Sequence, residues 1–207
     1  MSPAAIESMS NALAIIGNPS SLHADGRAVR KYVEDARDVL AKSIGCSASE
    51  IIFTGSGTEA NNIAVKGIFW QRNSEKSRPV VITSSIEHQA VLEPAQWLAE
   101  HQGAQHITIP VTEDGVVSLD ALQLLVDEHG DSIALISVMH SNNETGVIQP
   151  VGEIVKIAGD IPVHCDAVQS FSKVPLSYKE LGLFAMTISA HKAVSYTHLT
   201  LPTKRIV

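Results

Sequence analysis

The chain has 207 residues, of which 44% are hydrophobic and 18% charged, a composition typical of a globular protein with one large domain. Its formal net charge of −7 argues against a nucleic-acid groove or an anionic membrane surface as the main partner. There is no apolar run of membrane-spanning length, no secretory signal at the start, and only two cysteines, so we expect a cytoplasmic protein without a disulfide framework.

Apolar strands and amphipathic helices alternate along the sequence. The predicted strands, in chain order, are "EIIFTGSG", "PVVITSS", "QHITIPV", "SIALISVMH", "IPVHCD" and "FAMTIS". The predicted helices are residues 24–43, "TEANNIAVKGIFW", "HQAVLEPAQWLAEH", "SLDALQLLVDEHG" and "VGEIVKIAGD". In the fourth of these helices, we expect Ser118 to cap the N-terminus and Gly130 to end the helix.

This alternation predicts an α/β fold of three layers, with a mainly parallel sheet covered by helices on both faces. Ligands of such sheets bind outside the carboxyl ends of the strands. Polar residues follow five of the predicted strands, in "TGSGTE", "SSIEH", "MHSNNETG", "CDAVQS" and "SAHK". We therefore expect the functional site at this edge of the sheet.

The stretch "FTGSGTEANN" (53–62) has the character of a phosphate site. A strand leads into glycines and hydroxyls, a helix begins near Thr58, and the free N–H groups of a helix start bind anions well. The pattern is neither G-x-G-x-x-G nor a Walker loop, which disfavours a nucleotide. An ordinary capped helix after a tight turn is the alternative.

Three further side chains at strand ends suggest a specific cofactor. Lys192 is placed to form a Schiff base with an aldehyde, Asp166 to hold a protonated ring nitrogen, and His88 to stack on a ring face. Together with a phosphate site, these are the requirements of pyridoxal phosphate. Taken singly, Lys192 is more often a solvated surface charge and Asp166 more often an ordinary helix N-cap, and His88 could simply cap the helix that it precedes.

In these residues and their surroundings, the sequence resembles the pyridoxal-phosphate enzymes of the class V aminotransferase group. Within that group it most closely resembles the cysteine desulfurases that supply sulfur for iron–sulfur clusters. The resemblance runs from about Ser8 to Lys192. The stretches that carry it are "GNPSSLHADGR", "IIFTGSGTEANNIAVKG", "ITSSIEHQAVLE", "ISVMHSNNETGVIQP", "VHCDAVQSFSKVP" and "SAHK".

The resemblance implies a role for each matching residue. Lys192 would be the Schiff-base lysine that also moves the Cα proton, Asp166 would hold the pyridinium nitrogen, and His88 would stack on the ring and assist proton transfer. Asn143 and Gln169 would lie near the ring's phenolic oxygen and the substrate. The residues that would grip the phosphate are Gly57, Thr58, Ser189 and His191.

The resemblance also implies a fold, a reaction and partners. The fold would be the large domain of pyridoxal-phosphate fold type I, working as a homodimer without a metal. L-cysteine would be converted to L-alanine, and its sulfur would pass to an enzyme cysteine as a persulfide and then to an acceptor or scaffold protein.

The sequence departs from the family pattern at both ends. It lacks the opening strand with an Asp-Asn-Ala-Ala-Thr-like run, and no Gly-Pro-Lys-Gly follows "SAHK". We therefore expect residues 1–192 to form an incomplete cofactor-binding domain, 193–207 to be a non-native tail, and the small C-terminal domain to be absent. Neither Cys46 nor Cys165 is nominated as the persulfide cysteine, because both read as structural residues.

Three hypotheses remain open. The first is a cysteine desulfurase, and the second is another class V aminotransferase or a selenocysteine lyase. The cofactor residues do not separate the first from the second. A third possibility is an inactive fragment that binds the cofactor weakly or only dimerises.

Overall fold

A computed structural model describes residues 3–193 of the chain. Within this range one five-stranded sheet forms, and every pair of neighbouring strands is parallel. The strand order is β2-β1-β3-β4-β5. The strands are β1 (Val80–Ser84), β2 (Gln105–Ile109), β3 (Ile133–Ser137), β4 (Val163–Asp166) and β5 (Ala185–Thr187).

Helices precede, connect and follow these strands. They are α1 (Pro3–Leu13), α2 (Ala24–Ile44), α3 (Gly57–Arg72), α4 (Gln89–Gln102), α5 (Leu119–His129), α6 (Val151–Ala158), α7 (Tyr178–Leu181) and α8 (Ala190–Ala193). The predicted end signals of α5 are confirmed: the Ser118 hydroxyl accepts the N–H of Ala121, and Gly130 ends the helix. Such caps satisfy backbone groups that have no partner inside the helix.

Both faces of the sheet are buried, which confirms the three-layer α/β prediction. In β1, Val80 and Ile82 belong to one apolar core, whereas Val81 belongs to the other. The first core contains residues of α2, α5 and α6, and the second contains residues of α3 and α4. Because successive side chains of a strand point to opposite faces, the near-continuous apolar runs seen in the sequence are what a doubly covered sheet requires.

One buried histidine ties the carboxyl-end half of the sheet together. Nδ1 of His164 lies 2.8 Å from the Ser137 hydroxyl on β3, and Nε2 lies 2.9 Å from the Thr187 hydroxyl on β5. Burial lowers the pKa of His164 to about 4. The neutral ring of His164 therefore links β3, β4 and β5. It lies two residues before Asp166, the last residue of β4.

The structure differs from the sequence prediction in one strand. "EIIFTGSG" was expected to be a strand, but between 50 and 57 the structure assigns only a single bridge residue, Phe53. Ile51 is buried and Ile52 is 52% exposed, as in an extended segment with one face on the core. A strand also needs a hydrogen-bonded neighbour along its length, which an apolar pattern does not reveal.

Three helices were not expected from the sequence, and one predicted segment lies almost entirely outside the described residues. The helices α1, α7 and α8 were not predicted. The tail expected at 193–207 lies outside the described residues except for Ala193, the last residue of α8. Among the helices of residues 3–193, none combines the length and apolar character that crossing a membrane requires.

All five residues of the central strand β3 are buried. Ile136 is fully buried between the layers, so we expect Ile136→Ala to lower the free energy of unfolding by about 2–5 kcal/mol. The matched control is Ile63→Ala on α3, where the side chain is 44% exposed and the expected change is within about 0.5 kcal/mol. Urea unfolding measures both. Equal effects of the two substitutions would contradict the placement of the core.

Candidate active site

A polar cleft of about 420 Å³ opens at the carboxyl ends of the strands. It lies where the parallel-sheet rule places ligands. Eight of the nine residues predicted for the cofactor line it: Gly57, Thr58, His88, Asn143, Asp166, Gln169, His191 and Lys192. The ninth, Ser189, is buried beside it. Groups that are separated by up to 135 positions in the sequence thus share one cavity.

The deepest charged group of the cleft is Asp166, the last residue of β4. It is only 6% exposed. One carboxylate oxygen accepts the N–H of Val168 at 2.9 Å, and the other accepts the side-chain amide of Asn61 at 2.8 Å. Burial raises the pKa of Asp166, while these two hydrogen bonds and the nearby His88 act in the opposite direction. A cation in the cleft would offset the remaining cost of burying this carboxylate.

The start of α3 forms another wall of the cleft. The Ser56 hydroxyl caps the helix by accepting the N–H of Glu59 at 2.8 Å, and Gly57 is the first helical residue. A Cβ at Gly57 would lie 3.6 Å from Val168 and 3.9 Å from Ser189. The first-turn N–H groups therefore abut the ends of β4 and β5, and N–H groups in this position favour anions.

His88 stands at the junction of β1 and α4. It is the N-cap residue of α4, and its Nδ1 accepts the N–H of Ala90 at 3.0 Å. The side chain is also exposed to the cleft. His88 therefore caps α4, the role that the sequence offered as the alternative, and it also lines the candidate site.

Residues that follow β5 complete the cleft. Lys192 is exposed and lies in the short helix α8. Ser189 is fully buried, and its hydroxyl lies 2.6 Å from Nδ1 of His191. This contact orients the His191 ring next to the lysine.

The loop after β3 and the turn after β4 supply the amide groups. Asn143 is exposed, and Gln169 is half-buried. Beneath them the hydroxyls of Ser141 and Ser170 lie 2.7 Å apart, and Nδ1 of His140 lies 2.8 Å from Ser170. This buried network joins the two segments that carry Asn143 and Gln169.

Two buried residues of this region were missed by sequence reasoning. Asn61 lines the cleft and donates to Asp166. Glu87 precedes His88, and one of its oxygens accepts both the Ser84 hydroxyl and the Met139 N–H. Asn61 had a signal, because it lies one helical turn after Thr58 and so shares its helix face. Glu87 is only 6% exposed, and it lies in "SSIEH", a strand end that the sequence assigned to the site without singling out this carboxylate.

The residues of the cleft fit pyridoxal phosphate. Asp166 is a buried carboxylate suited to a protonated ring nitrogen, and the α3 N-terminus is suited to a phosphate. The side-chain oxygen of Asn61 is buried without a hydrogen-bond partner among the described residues, which indicates space for a polar ligand or water. Lys192 lines the cleft, and its side chain has the amine that would bind an aldehyde.

Comparison with known proteins places the chain in a family. The model of the "Aminotransferase class-V" family matches residues 2–200, and the chain belongs to this family, whose members use pyridoxal phosphate. It is 45% identical over 195 residues to an IscS-like cysteine desulfurase of Mycobacterium tuberculosis, covering 93% of this chain and 49% of the relative. A cysteine desulfurase IscS of Dictyoglomus turgidum is 46% identical over 178 residues, which cover 85% of this chain and 44% of the relative.

Solved structures agree with this assignment. A NifS-like protein superposes with a TM-score of 0.88 at 35% identity, over 100% of this chain and 55% of the other. SspA in complex with cysteine superposes with a TM-score of 0.87 at 30% identity, over 100% of this chain and 57% of the other. The chain thus spans about half the length of the curated relatives it matches.

Glu87 gives the stability of the protein a pH dependence. Burial raises the pKa of Glu87 to about 8, from an ordinary value of 4.5. The folded state therefore keeps a proton that the unfolded state releases, and stability falls as the pH rises from about 4.5 to about 8. We expect Glu87→Gln to remove this part of the fall, because the amide does not ionise.

Urea unfolding at a series of pH values between these limits tests the expectation. Glu93→Gln is the control, since Glu93 is an exposed residue of α4 and should leave the pH profile of the parent unchanged. If Glu87→Gln and its parent lost stability in parallel as the pH rises, Glu87 would be ionised in the folded state and the expectation would be wrong.

Proposed function

We propose that this protein acts as a pyridoxal-phosphate-dependent cysteine desulfurase, which takes sulfur from L-cysteine and leaves L-alanine. The observation that carries the proposal is the meeting of Lys192, Asp166, His88 and the start of α3 in one cleft. The substrate is supported by the IscS-like and IscS relatives and by the neighbouring structure that holds cysteine.

Each residue of the cleft would have a defined task. When bound, pyridoxal phosphate draws electrons away from the Cα of an amino acid. Asp166 would accept a hydrogen bond from the ring nitrogen and keep it protonated, because its carboxylate is buried and needs a cation. The first-turn N–H groups at Gly57 and Thr58, with Ser189 and His191, would hold the phosphate. His88 would cover one face of the ring.

Proton movement would fall to the lysine. Lys192 would bind the aldehyde through its Nζ, and after release by the substrate its amine would remove the proton from the substrate Cα. Asn143 and Gln169 also line the cleft, where their amides would contact the ring oxygen and the substrate.

The thiol that accepts the sulfur is assigned to neither cysteine of the 207 residues. Cys165 is fully buried, and burial raises its pKa well above the ordinary value. Cys46 is half-buried, and burial likewise raises its pKa. A sulfur acceptor must be an accessible thiolate. We therefore propose that the persulfide forms on a cysteine outside these residues, and that the sulfur passes on to an acceptor or scaffold protein.

The localisation and oligomeric state that we propose follow from the resemblance to the relatives. We propose a cytoplasmic homodimer. Leu13, Ile16 and Leu22 are each more than four-fifths exposed, and these apolar side chains support burial against another chain or segment.

Sulfide release tests the function directly. The protein, including the segment proposed to carry the persulfide cysteine, is incubated with L-cysteine, pyridoxal phosphate and a thiol reductant, and sulfide and alanine are measured in parallel. Equal amounts of both products are expected, because each C–S bond that breaks yields one of each. Production of a keto acid instead would indicate an aminotransferase. A larger turnover with selenocysteine than with cysteine would indicate a selenocysteine lyase.

We expect Lys192→Ala to reduce the rate of sulfide release by roughly 10²- to 10⁴-fold, the range typical of a lost acid–base group. The fold should survive, because the side chain is exposed and packs against no core. Lys156→Ala, an exposed position on α6, is the matched control and should keep full activity. Circular dichroism checks the fold of both variants. Undiminished sulfide release by Lys192→Ala would exclude the assigned role.

We expect Asp166→Asn to weaken pyridoxal-phosphate binding by about 10- to 100-fold, because a hydrogen bond to a charged group contributes about 1.5–3 kcal/mol. Equilibrium dialysis of the cofactor gives the Kd. Asp160→Asn, in the exposed turn after α6, should bind as the parent does. An unchanged Kd for Asp166→Asn would rule out the contact with the ring nitrogen.

A further inference from the structure

Asn61 is buried at the floor of the cleft, where none of the assigned tasks involves it. It lies in α3, is 1% exposed, and lines the cavity. Its side-chain amide donates to Asp166 at 2.8 Å, across a separation of 105 positions in the sequence. This bond joins the helix that carries the candidate phosphate site to the strand that carries the candidate ring-nitrogen site.

The orientation of the Asn61 side chain follows from its partner. A carboxylate only accepts hydrogen bonds, so the NH₂ group must face Asp166 and the oxygen must face away. That oxygen is buried and has no hydrogen-bond partner within residues 3–193. A buried acceptor without a partner is destabilising, and a site built for a ligand or water tolerates that cost.

The carboxylate of Asp166 is fixed from two sides. One oxygen is held by the backbone N–H of Val168, and the other by Asn61. The backbone contact is set by the turn, whereas the amide of Asn61 is the side-chain contact that fixes the plane of the carboxylate. The Asn61 hydrogen bond also lowers the pKa of Asp166 against the effect of burial.

We propose that Asn61 is a positioning residue for the cofactor: it holds the Asp166 carboxylate in the orientation that receives the ring nitrogen, and its free oxygen accepts an N–H or O–H donor at the same edge. The inference rests on the proposed function, since it presumes that a ring nitrogen meets Asp166. Asn61 would contact the Asp166 carboxylate and would affect the cofactor through that carboxylate.

The test is a double-mutant cycle read out as cofactor affinity. Kd values for pyridoxal phosphate are measured by equilibrium dialysis for the parent, Asn61→Leu, Asp166→Asn and the double variant. We expect Asn61→Leu to raise the Kd roughly tenfold in the parent. In the Asp166→Asn background the same change should have much less effect, because the two residues act as one unit. An equal loss in both backgrounds would overturn the proposal.

The matched control is the adjacent residue. Asn62 is half-buried on the same helix, and its amide donates to Thr58 of its own helix at 3.0 Å. Asn62→Leu should leave the Kd unchanged. A Kd loss for Asn62→Leu as large as that for Asn61→Leu would show a general effect of α3 and overturn the proposal.

A second readout separates positioning from folding. The thermal melting of each variant is recorded without cofactor, and Asn61→Ala is included as a smaller replacement. If both Asn61 variants unfold without cofactor, the residue is structural and the proposal is wrong. If they fold and the pH dependence of the bound cofactor's absorption shifts relative to the parent, the contact through Asp166 is supported. If the parent protein itself binds no pyridoxal phosphate, the proposed function fails, and the inference fails with it.

Discussion

The burial of one carboxylate organises the carboxyl edge of this sheet. Asp166 ends β4 at a position where a charge is costly, and the structure surrounds it with a backbone N–H, the amide of Asn61 and the nearby His88. These partners come from the turn after β4, from α3 and from the β1–α4 junction. Three of the segments that form the cleft therefore also stabilise the aspartate. A bound cation, such as a protonated ring nitrogen, would complete its surroundings.

Local signals in the sequence predicted most of the fold correctly. The end signals of α5, Ser118 and Gly130, act within a few residues, and both were found where expected. The error at "EIIFTGSG" has a different origin. The segment is apolar and extended, but membership of a sheet depends on a neighbouring strand that is distant in the sequence.

In the site too, residues marked by local sequence signals were predicted, whereas contacts between distant residues were missed. Lys192, Asp166 and His88 follow strands, and the parallel-sheet rule alone predicts that strand ends meet. Asn61 shares a helix face with Thr58, but its contact with Asp166 was missed because that partner is 105 positions away in the sequence. Glu87 was missed because burial, not sequence pattern, gives it an unusual pKa.

The described cleft has the groups that would hold a cofactor and move a proton, but not an accessible thiol to take up sulfur. Cys165 is sealed in the core, where it serves packing. The chain spans about half of its curated relatives. Binding of the cofactor can be tested on these residues without reference to sulfur transfer.

The most direct test of the central claim is to add pyridoxal phosphate to the protein, reduce with borohydride, and map the modified peptide by mass spectrometry. Borohydride makes the bond between an aldehyde and a lysine permanent. The account predicts a single modified residue, Lys192, at one cofactor per chain. Modification spread over exposed lysines such as Lys156, with Lys192 unmodified, would contradict it.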